Sequence, residues 1–360
     1  MNKTLITNAR LVNDGAVVEG DLLIEGARIA RVGGAIAADG CRVIDVQGLT
    51  LMPGMIDSQV HFRDPGLTHK ADMTTESQAA LAGGITSWFD MPNTRPPTTS
   101  IAALEDKFAH AAGRCWGNYA FYLGATNDNL DELRKLAPGR TCGIKCFMGA
   151  STGNMLVDDP DVLDAMFRDA GVLIVTHCED TPTIVANERA ARVRYGDQVP
   201  MAEHPRIRSA AACYQSSSMA IGLARRHRLE EKAAASYFEV PAGLPLVQHA
   251  APMLLELVHD GVLDLPLAVE KMAHAPARLF GVRQRGYLRE GYYADLIVVD
   301  WDAPHTVTRD RIRHKCGWSP LEGRTLRSQV SKTFVNGELK YDQGAFCGAP
   351  NGRRLEFQAA

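Results

Sequence analysis

The sequence predicts an α/β protein: a TIM-type (β/α)8 barrel, of which about five strands can be read, joined to a composite β-sandwich drawn from both ends of the chain. Three observations carry this expectation. Both ends hold short strand-like runs punctuated by Gly or Asn-Asp. Between them, five apolar runs of strand length alternate with helix-like stretches, the pattern of a parallel sheet with crossover helices. Each of those runs also ends at its C-terminal side in polar residues, where α/β barrels keep their chemistry.

The elements follow in order. Residues 1–52 contain TLITNARLVN, GDLLIEGARIARVG and CRVIDVQGLTLMPG. Such a segment cannot bury both faces of its own sheet. Its expected partners are YYADLIVVD (292–300) and SKTFVNGELKYD (331–342), giving a sandwich from 1–52 plus 286–360; two separate β appendages are the alternative. The barrel is expected over 53–285. Its strands are GMIDSQVHF, GITSWFDMPN, NYAFYLGAT, TCGIKCFMGA and GVLIVTHCE, closing on His61, Asn93, Asn127, Ser151 and His177. Helices are expected at 72–82, 100–113, 128–136, 159–169 and 209–226. Beyond 227 only helix-like stretches remain (248–260 and 265–273), since SYFEVPAGLPLVQ is broken by two prolines. An eight-stranded barrel needs about 250 residues, roughly 30 per βα unit. Three units, on the order of 90 residues, are therefore expected to be absent, an internal deletion near 227–232.

Composition narrows the function. Lys+Arg number 39 against 42 Asp+Glu, a formal charge of −3, so no basic excess is available to neutralise nucleic-acid phosphates. Eight cysteines in 360 residues are too sparse for a disulfide scaffold. MNKTLITNARLVNDG has no apolar core of a signal peptide, and no window reaches the roughly 18 apolar residues of a membrane helix. A cytoplasmic protein with reduced thiols and no membrane partner is expected.

The chemistry-bearing residues lie on the barrel strands. Period two puts Asp57, Gln59, His61 and Arg63 on one face of the first strand. So many polar groups on an inner face are costly unless partnered, which favours a metal or substrate site over a hydrogen-bonded core histidine. Lys145 shares a face with Gly143 and Phe147 and so points inward. A buried ammonium needs a partner, and Asp57 or Asp90 would serve. Alternatively it is a neutral amine that reacts with carbon dioxide, giving a two-oxygen carbamate able to bridge two metal ions. His177 ends the fifth strand. Imidazole nitrogens and carboxylate-like oxygens suit zinc, which takes three protein ligands plus water in catalytic sites.

IDSQVHFRDPGLTHK, GGITSWFDMPNTRPPTT, GIKCFMGASTGNMLVDD, VTHCED, EHPRIRS, PLVQHA, AHAPARLFG and GYYADLIVVD resemble the dihydroorotases, cyclic amidohydrolases of the metal-dependent amidohydrolase superfamily. The resemblance covers nearly the whole chain. It implies a (β/α)8 metallo-barrel with a composite sandwich, one or two zinc ions, and reversible hydrolysis of L-dihydroorotate to N-carbamoyl-L-aspartate in pyrimidine (UMP) biosynthesis. It further implies that His61 is the second histidine of a His-x-His metal pair, Lys145 a carboxylated bridging lysine, and His177 a metal ligand. Arg63 and Asn93 would hold the substrate carboxylate, a guanidinium fork gripping it bidentately and an amide adding a directional donor. Arg63 as a surface ion pair and Asn93 as a turn residue after Pro92 are the alternatives. Arg63 also separates the chain from allantoinases, which look similar here but tend to carry Asn at that place. His69 and His204 read as structural, and His274 as part of a helix packing barrel against sandwich. Cys146 and Cys178 flank the site without ligating, and Gly83-Gly84 is a turn rather than a phosphate loop.

The chain departs from the pattern in two places. Gln59 stands where the first histidine of the pair belongs, and an amide oxygen is a weak, neutral zinc ligand. The histidine after strand six and the Asp-His-x-x-His run after strand eight are missing, so no general-base Asp is retained; LARRH (223–227) runs straight into RLEEKAAASYFEV. A general base contributes typically about 10²–10⁴-fold, and five open strands would expose their edges. The literal 360-residue chain is therefore expected to fold poorly alone or to be inactive. Either the absent segment belongs to the natural protein, the favoured reading because every motif outside the break is intact, or the chain is a deleted, non-catalytic relative. The expected partners are a small-molecule substrate, a second copy in a homodimer and, for the non-catalytic alternative, aspartate transcarbamoylase. A hydantoinase or allantoinase activity is the alternative within the enzyme class.

Overall fold

A computed structural model describes residues 3–149, 155–227 and 246–358. Ser151 and all but the first residue of the expected break at 227–232 lie outside the described residues. By compactness the chain divides into one unit of Met1–Asp90, Asp106–Phe121 and Gly243–Ala359, and a second of Met91–Glu105 and Tyr122–Ala242.

In chain order the first strands are β1 (Lys3–Asn13), β2 (Ala16–Glu25), β3 (Arg28–Val32), β4 (Arg42–Asp45), β5 (Thr50–Pro53), β6 (Met55–Val60) and β7 (Ile85–Asp90). The middle of the chain supplies β8 (Asn118–Phe121), β9 (Leu123–Gly124), β10 (Ile144–Phe147) and β11 (Ile174–His177). Near the C-terminus come β12 (Leu296–Asp300), β13 (His305–Thr306), β14 (Thr325–Leu326), β15 (Gln329–Val335), β16 (Glu338–Asp342) and β17 (Ala345–Phe346). The helices are α1 (Met73–Ala82), α2 (Ile101–Ala111), α3 (Leu130–Arg134), α4 (Pro160–Asp169), α5 (Thr181–Tyr195), α6 (His204–Ile207), α7 (Ala210–Arg226), α8 (Ala250–His259), α9 (Leu265–Val269) and α10 (Ala275–Leu279). Among the described residues none is long and apolar enough to cross a membrane.

In the first unit, strands from both ends of the chain share one nine-stranded sheet, ordered β17-β16-β15-β12-β5-β1-β2-β3 with β4 also paired to β1. The join is β5 against β12, antiparallel, with Leu51 opposite Val298. Both faces of β12 are buried, and period two sorts them. Leu296 and Val298 pack with Ile6, Leu22, Ile24 and Phe334. Ile297 and Val299 pack with Ala251 and Leu255 of α8 and Val269 of α9. A strand covered on both sides reads as the continuous apolar run LIVV rather than as alternation.

The five expected barrel strands are present, but a closed eight-stranded barrel is not found among the described residues. Instead they form two three-stranded parallel sheets, β6-β7-β8 and β9-β10-β11. The third expected strand is split at Tyr122, its first part pairing β7 and its second pairing β10. Between β11 and β12 the described residues supply helices, turns and isolated bridges but no further named strand, whereas a closed barrel of this size needs eight.

Helix starts follow local capping chemistry. Asp72 accepts from the Thr75 N–H at α1, Asp159 with Pro160 opens α4, and Ser209 accepts from the Ala212 N–H at α7. The α5 helix is absent from the expected elements. It is opened by Asp180 and Pro182 but buries only Ile184 and Ala191, so it has no apolar stripe to read. His274 uses both ring nitrogens in packing: Nδ1 meets the Gly286 carbonyl at 2.6 Å and Nε2 accepts from the Asp14 N–H at 3.1 Å, while the ring stacks on Tyr287.

Candidate active site

In the first unit the candidate residues lie on β6 and the loop after it. Asp57 Oδ1 accepts the Gln59 N–H at 3.0 Å, and the β6–β7 register shifts between Asp57 and Val60. This irregularity ends simple period-two counting, so the four polar residues from Asp57 to Arg63 do not share one regular strand face. Burial pushes the Asp57 carboxyl up to about 6, opposed by the Gln59 N–H. His61 follows one residue past β6 and is half-buried.

Arg63 takes φ 63°, a left-handed backbone that a long side chain seldom adopts. Burial draws its guanidinium below the ordinary value, and Asp90 opposes that shift. The strain is held from both sides. The Phe62 N–H donates to Asp90 Oδ1 at 2.8 Å. Buried Asp64 accepts from the Met73 N–H, from Arg114 and, at 2.8 Å, from His110 Nε2. Asp90, weighed on sequence as a partner for Lys145, is instead paired with Lys107, whose Nζ lies 2.7 Å from Oδ2 and 4.7 Å over the Phe121 ring. Lys107 and Asp64 were not singled out from the sequence. The available signal was a lysine inside the helical segment IAALEDKFAHA and an aspartate just before a proline.

The second unit carries the rest. Asn93 follows Pro92 in a turn whose Thr94 and Thr98 N–H groups both donate to the Pro92 carbonyl at 2.9 Å. In the β10–β11 ladder Lys145 pairs with Val175 and Phe147 with His177, so Lys145 and His177 stand on one face. The Phe147 ring links them, 5.1 Å from the Lys145 Nζ and 5.9 Å from the His177 ring. Lys145 is 2 % exposed. Among the described residues it makes no ion pair. Burial draws its ammonium down to about 8, opposed only by the Cys146 and Cys178 thiols. Burial in turn pushes the Cys146 thiol up to about 12 and raises that of Cys178.

His177 Nε2 lies 2.8 Å from Oε2 of Glu179, and Arg208 pairs with the same carboxylate. Burial alone would raise Glu179; the His177 hydrogen bond, with the charges of His177, Arg208 and His204, holds it below its ordinary value. His204 thus acts on this carboxylate only through its charge. Nothing in VTHCED marks Glu179, because a carboxylate two residues past a histidine has no fixed reach until the turn is known. That turn is tight. A Cβ on Gly149 would come within 1.7 Å of the Glu179 carbonyl oxygen, so only glycine fits at the end of β10.

The donor chemistry fits a metal in part. A buried amine that loses its proton easily can become a carbamate, and the neighbouring imidazole has its other nitrogen held by a carboxylate, the usual support of a ligating histidine. That face offers two donors where a catalytic zinc takes three from the protein. Among the described residues no three His, Cys, Asp or Glu side chains group closely enough to hold a metal ion.

Comparison with known proteins adds to this geometry. Residues 50–212 match the Amidohydrolase family. The chain is 27% identical over 428 aligned positions to a dihydroorotase of Halobacterium salinarum, covering 96% of this chain and 99% of that protein. It is 25% identical over 439 positions to an allantoinase of Escherichia coli, covering 95% and 96%. The fold matches the L-hydantoinase of Arthrobacter aurescens with a TM-score of 0.88 at 23% identity, over 99% of this chain and 100% of that one. An alignment of 428 positions is longer than a chain of 360 residues, so at least 68 positions face no residue of this protein.

Proposed function

We propose that this chain, whose residues 50–212 match the Amidohydrolase family, is a cyclic amidohydrolase of the dihydroorotase kind, hydrolysing L-dihydroorotate reversibly to N-carbamoyl-L-aspartate. The observation that carries the reading is Lys145: a buried amine without an ion pair among the described residues, on one strand face with a carboxylate-supported His177. The likeness to dihydroorotases at 25–27% identity along nearly the whole chain supports the substrate class.

In this reading Lys145, as its carbamate, and His177 would hold zinc; His61 is a donor that only the family resemblance implies. Bound zinc supplies a Lewis acid and a hydroxide at neutral pH. The chain's own groups assigned here bind and orient; no general base is among them. Arg63, fixed in its left-handed turn, binds the substrate carboxylate with Asn93 as second donor. Glu179 fixes the tautomer and orientation of His177. The test is turnover by the zinc-supplemented full chain of dihydroorotate, hydantoin and allantoin side by side. Hydrolysis of dihydroorotate alone supports the reading, whereas hydrolysis of either other ring and not of dihydroorotate replaces it with a hydantoinase or allantoinase.

A second reading is a non-catalytic dihydroorotase-like partner of aspartate transcarbamoylase. It is favoured by the 68 or more alignment positions this chain leaves empty, and by the absence of a three-donor cluster among the described residues. A folded chain without zinc that co-purifies with that enzyme would support it.

A further inference from the structure

The first unit contains a cavity of about 180 Å³ that none of the candidate active-site residues lines. It lies beside the start of α8 and is walled by β15 and β16. His249, 4 % exposed, is part of its wall. Arg311, Arg313, Gln248, Gln343 and His305 also line it, and among the described residues no Asp or Glu does, although Glu256 acts on His305 through its charge. Asp310 is within electrostatic reach of both arginines but outside the lining.

The cationic part is built rather than incidental. The Gln248 amide donates through Nε2 to the Arg311 carbonyl at 2.7 Å, and its Oε1 accepts the Arg313 N–H at 2.6 Å. One carboxamide thereby clamps the backbone that carries both guanidinium groups, and Arg313 is tied further to the Gly344 carbonyl at 3.2 Å. Beside them, His249 keeps a buried Nε2 without a hydrogen-bond partner; His314, behind it and outside the lining, has its Nδ1 2.8 Å from Oε2 of buried Glu76, and the His305 ring is hydrogen-bonded to the Ala303 backbone. The rings of His249 and His314 are 6.2 Å apart. Buried polar atoms without partners are rare because each costs desolvation energy. Burial, with His314 and His305 nearby, draws His249 down to about 4, so it stays neutral near pH 7. A cation is a poor occupant: the lining is positive, and these histidines do not group as metal ligands.

We propose that this cavity is a binding site for a phosphoryl oxyanion, either inorganic phosphate or the phosphate of a small metabolite, gripped by Arg311 and Arg313 with imidazole and carboxamide donors around it. Two guanidinium forks plus donors from other directions match the tetrahedral oxygens of phosphate, where a planar carboxylate would use only one fork. The proposal is independent of the hydrolase reading, since it shares no residue with it.

Isothermal titration calorimetry of the full chain with inorganic phosphate and with pyrophosphate, at fixed ionic strength, tests it; acetate is the planar-anion comparator. The expected result is one saturable phosphate site per chain, weakened at least about tenfold in Arg311→Ala/Arg313→Ala and unchanged in Lys145→Met. Both arginines are exposed, and an unshifted melting curve will show that the double variant is folded. No saturable phosphate binding, equal affinity in the folded double variant, or acetate binding as tightly as phosphate would each overturn the proposal.

Discussion

The Nε2 of His177 lies 2.8 Å from Oε2 of Glu179, one turn beyond the strand that carries the histidine. Because Arg208 pairs with the same carboxylate, Glu179 is held below its ordinary pKa in a buried position, and the His177 ring is tied to it on the strand face shared with Lys145. Carboxylates give ligating histidines the same kind of support in metal sites.

Glu179→Gln keeps the shape but removes the charge. Loss of such a support typically costs about 10- to 100-fold in metal affinity. Zinc competition titration of the variant should show a loss of that order, with the fold retained by circular dichroism. Unchanged zinc affinity would mean that His177 is not a ligand.

Lys145 trades stability for chemistry. Its folded pKa, about 8, is below the unfolded value of 10.5. Between those values the unfolded chain binds more protons, so stability rises with pH across that window; below pH 8 the whole penalty is present. Lys145→Met should therefore be more stable than the parent at pH 7, by no more than about 3 kcal/mol, and should lose the rise between pH 8 and 10.5. Urea midpoints measured across this pH range check both points.

Lys107 and Asp90, 2 % and 1 % exposed, form a pair that fails badly if half is removed. Lys107→Met leaves a buried carboxylate that still accepts the Phe62 N–H, at a cost of about 3–5 kcal/mol. Chemical denaturation should show that loss, and Lys107→Met/Asp90→Asn should recover most of it. Equal stability of the single and double variants would show that the pair is not coupled.

The strands were largely legible because their apolar runs are long and punctuated: LIVV on β12 and the runs of β6, β7, β10 and β11 fall where the sequence places them. What the sequence could not show was how they pair. The split of the third strand at Tyr122 depends on which neighbour each half finds, and a four-residue run such as Asn118–Phe121 carries no mark of that. In the site, the inward lysine was legible from period two. The partner of Asp90 was not, because Lys107 reaches it from a helix. Glu179 is not legible because its place depends on a turn fixed by the close approach at Gly149, and Arg63, although legible as a candidate, carries no sign in sequence of its positive φ beside the anchored Asp64.

Gly149→Ala tests the first of these. Its methyl would have to occupy space within 1.7 Å of the Glu179 carbonyl oxygen. The ends of β10 and β11 must then separate, with a stability loss of a few kcal/mol at most and a loosened His177. A melting temperature equal to that of the parent, together with unchanged zinc affinity, would show that the approach is not fixed.

If Lys145 and His177 form the core of a zinc site for cyclic-amide hydrolysis, zinc stays with the folded chain. Elemental analysis after dialysis in bicarbonate-containing buffer should find one or two ions per parent chain and none in Lys145→Met, which should remain folded. A folded parent without zinc, or a Lys145→Met variant that retains as much as the parent, would rule the zinc site out.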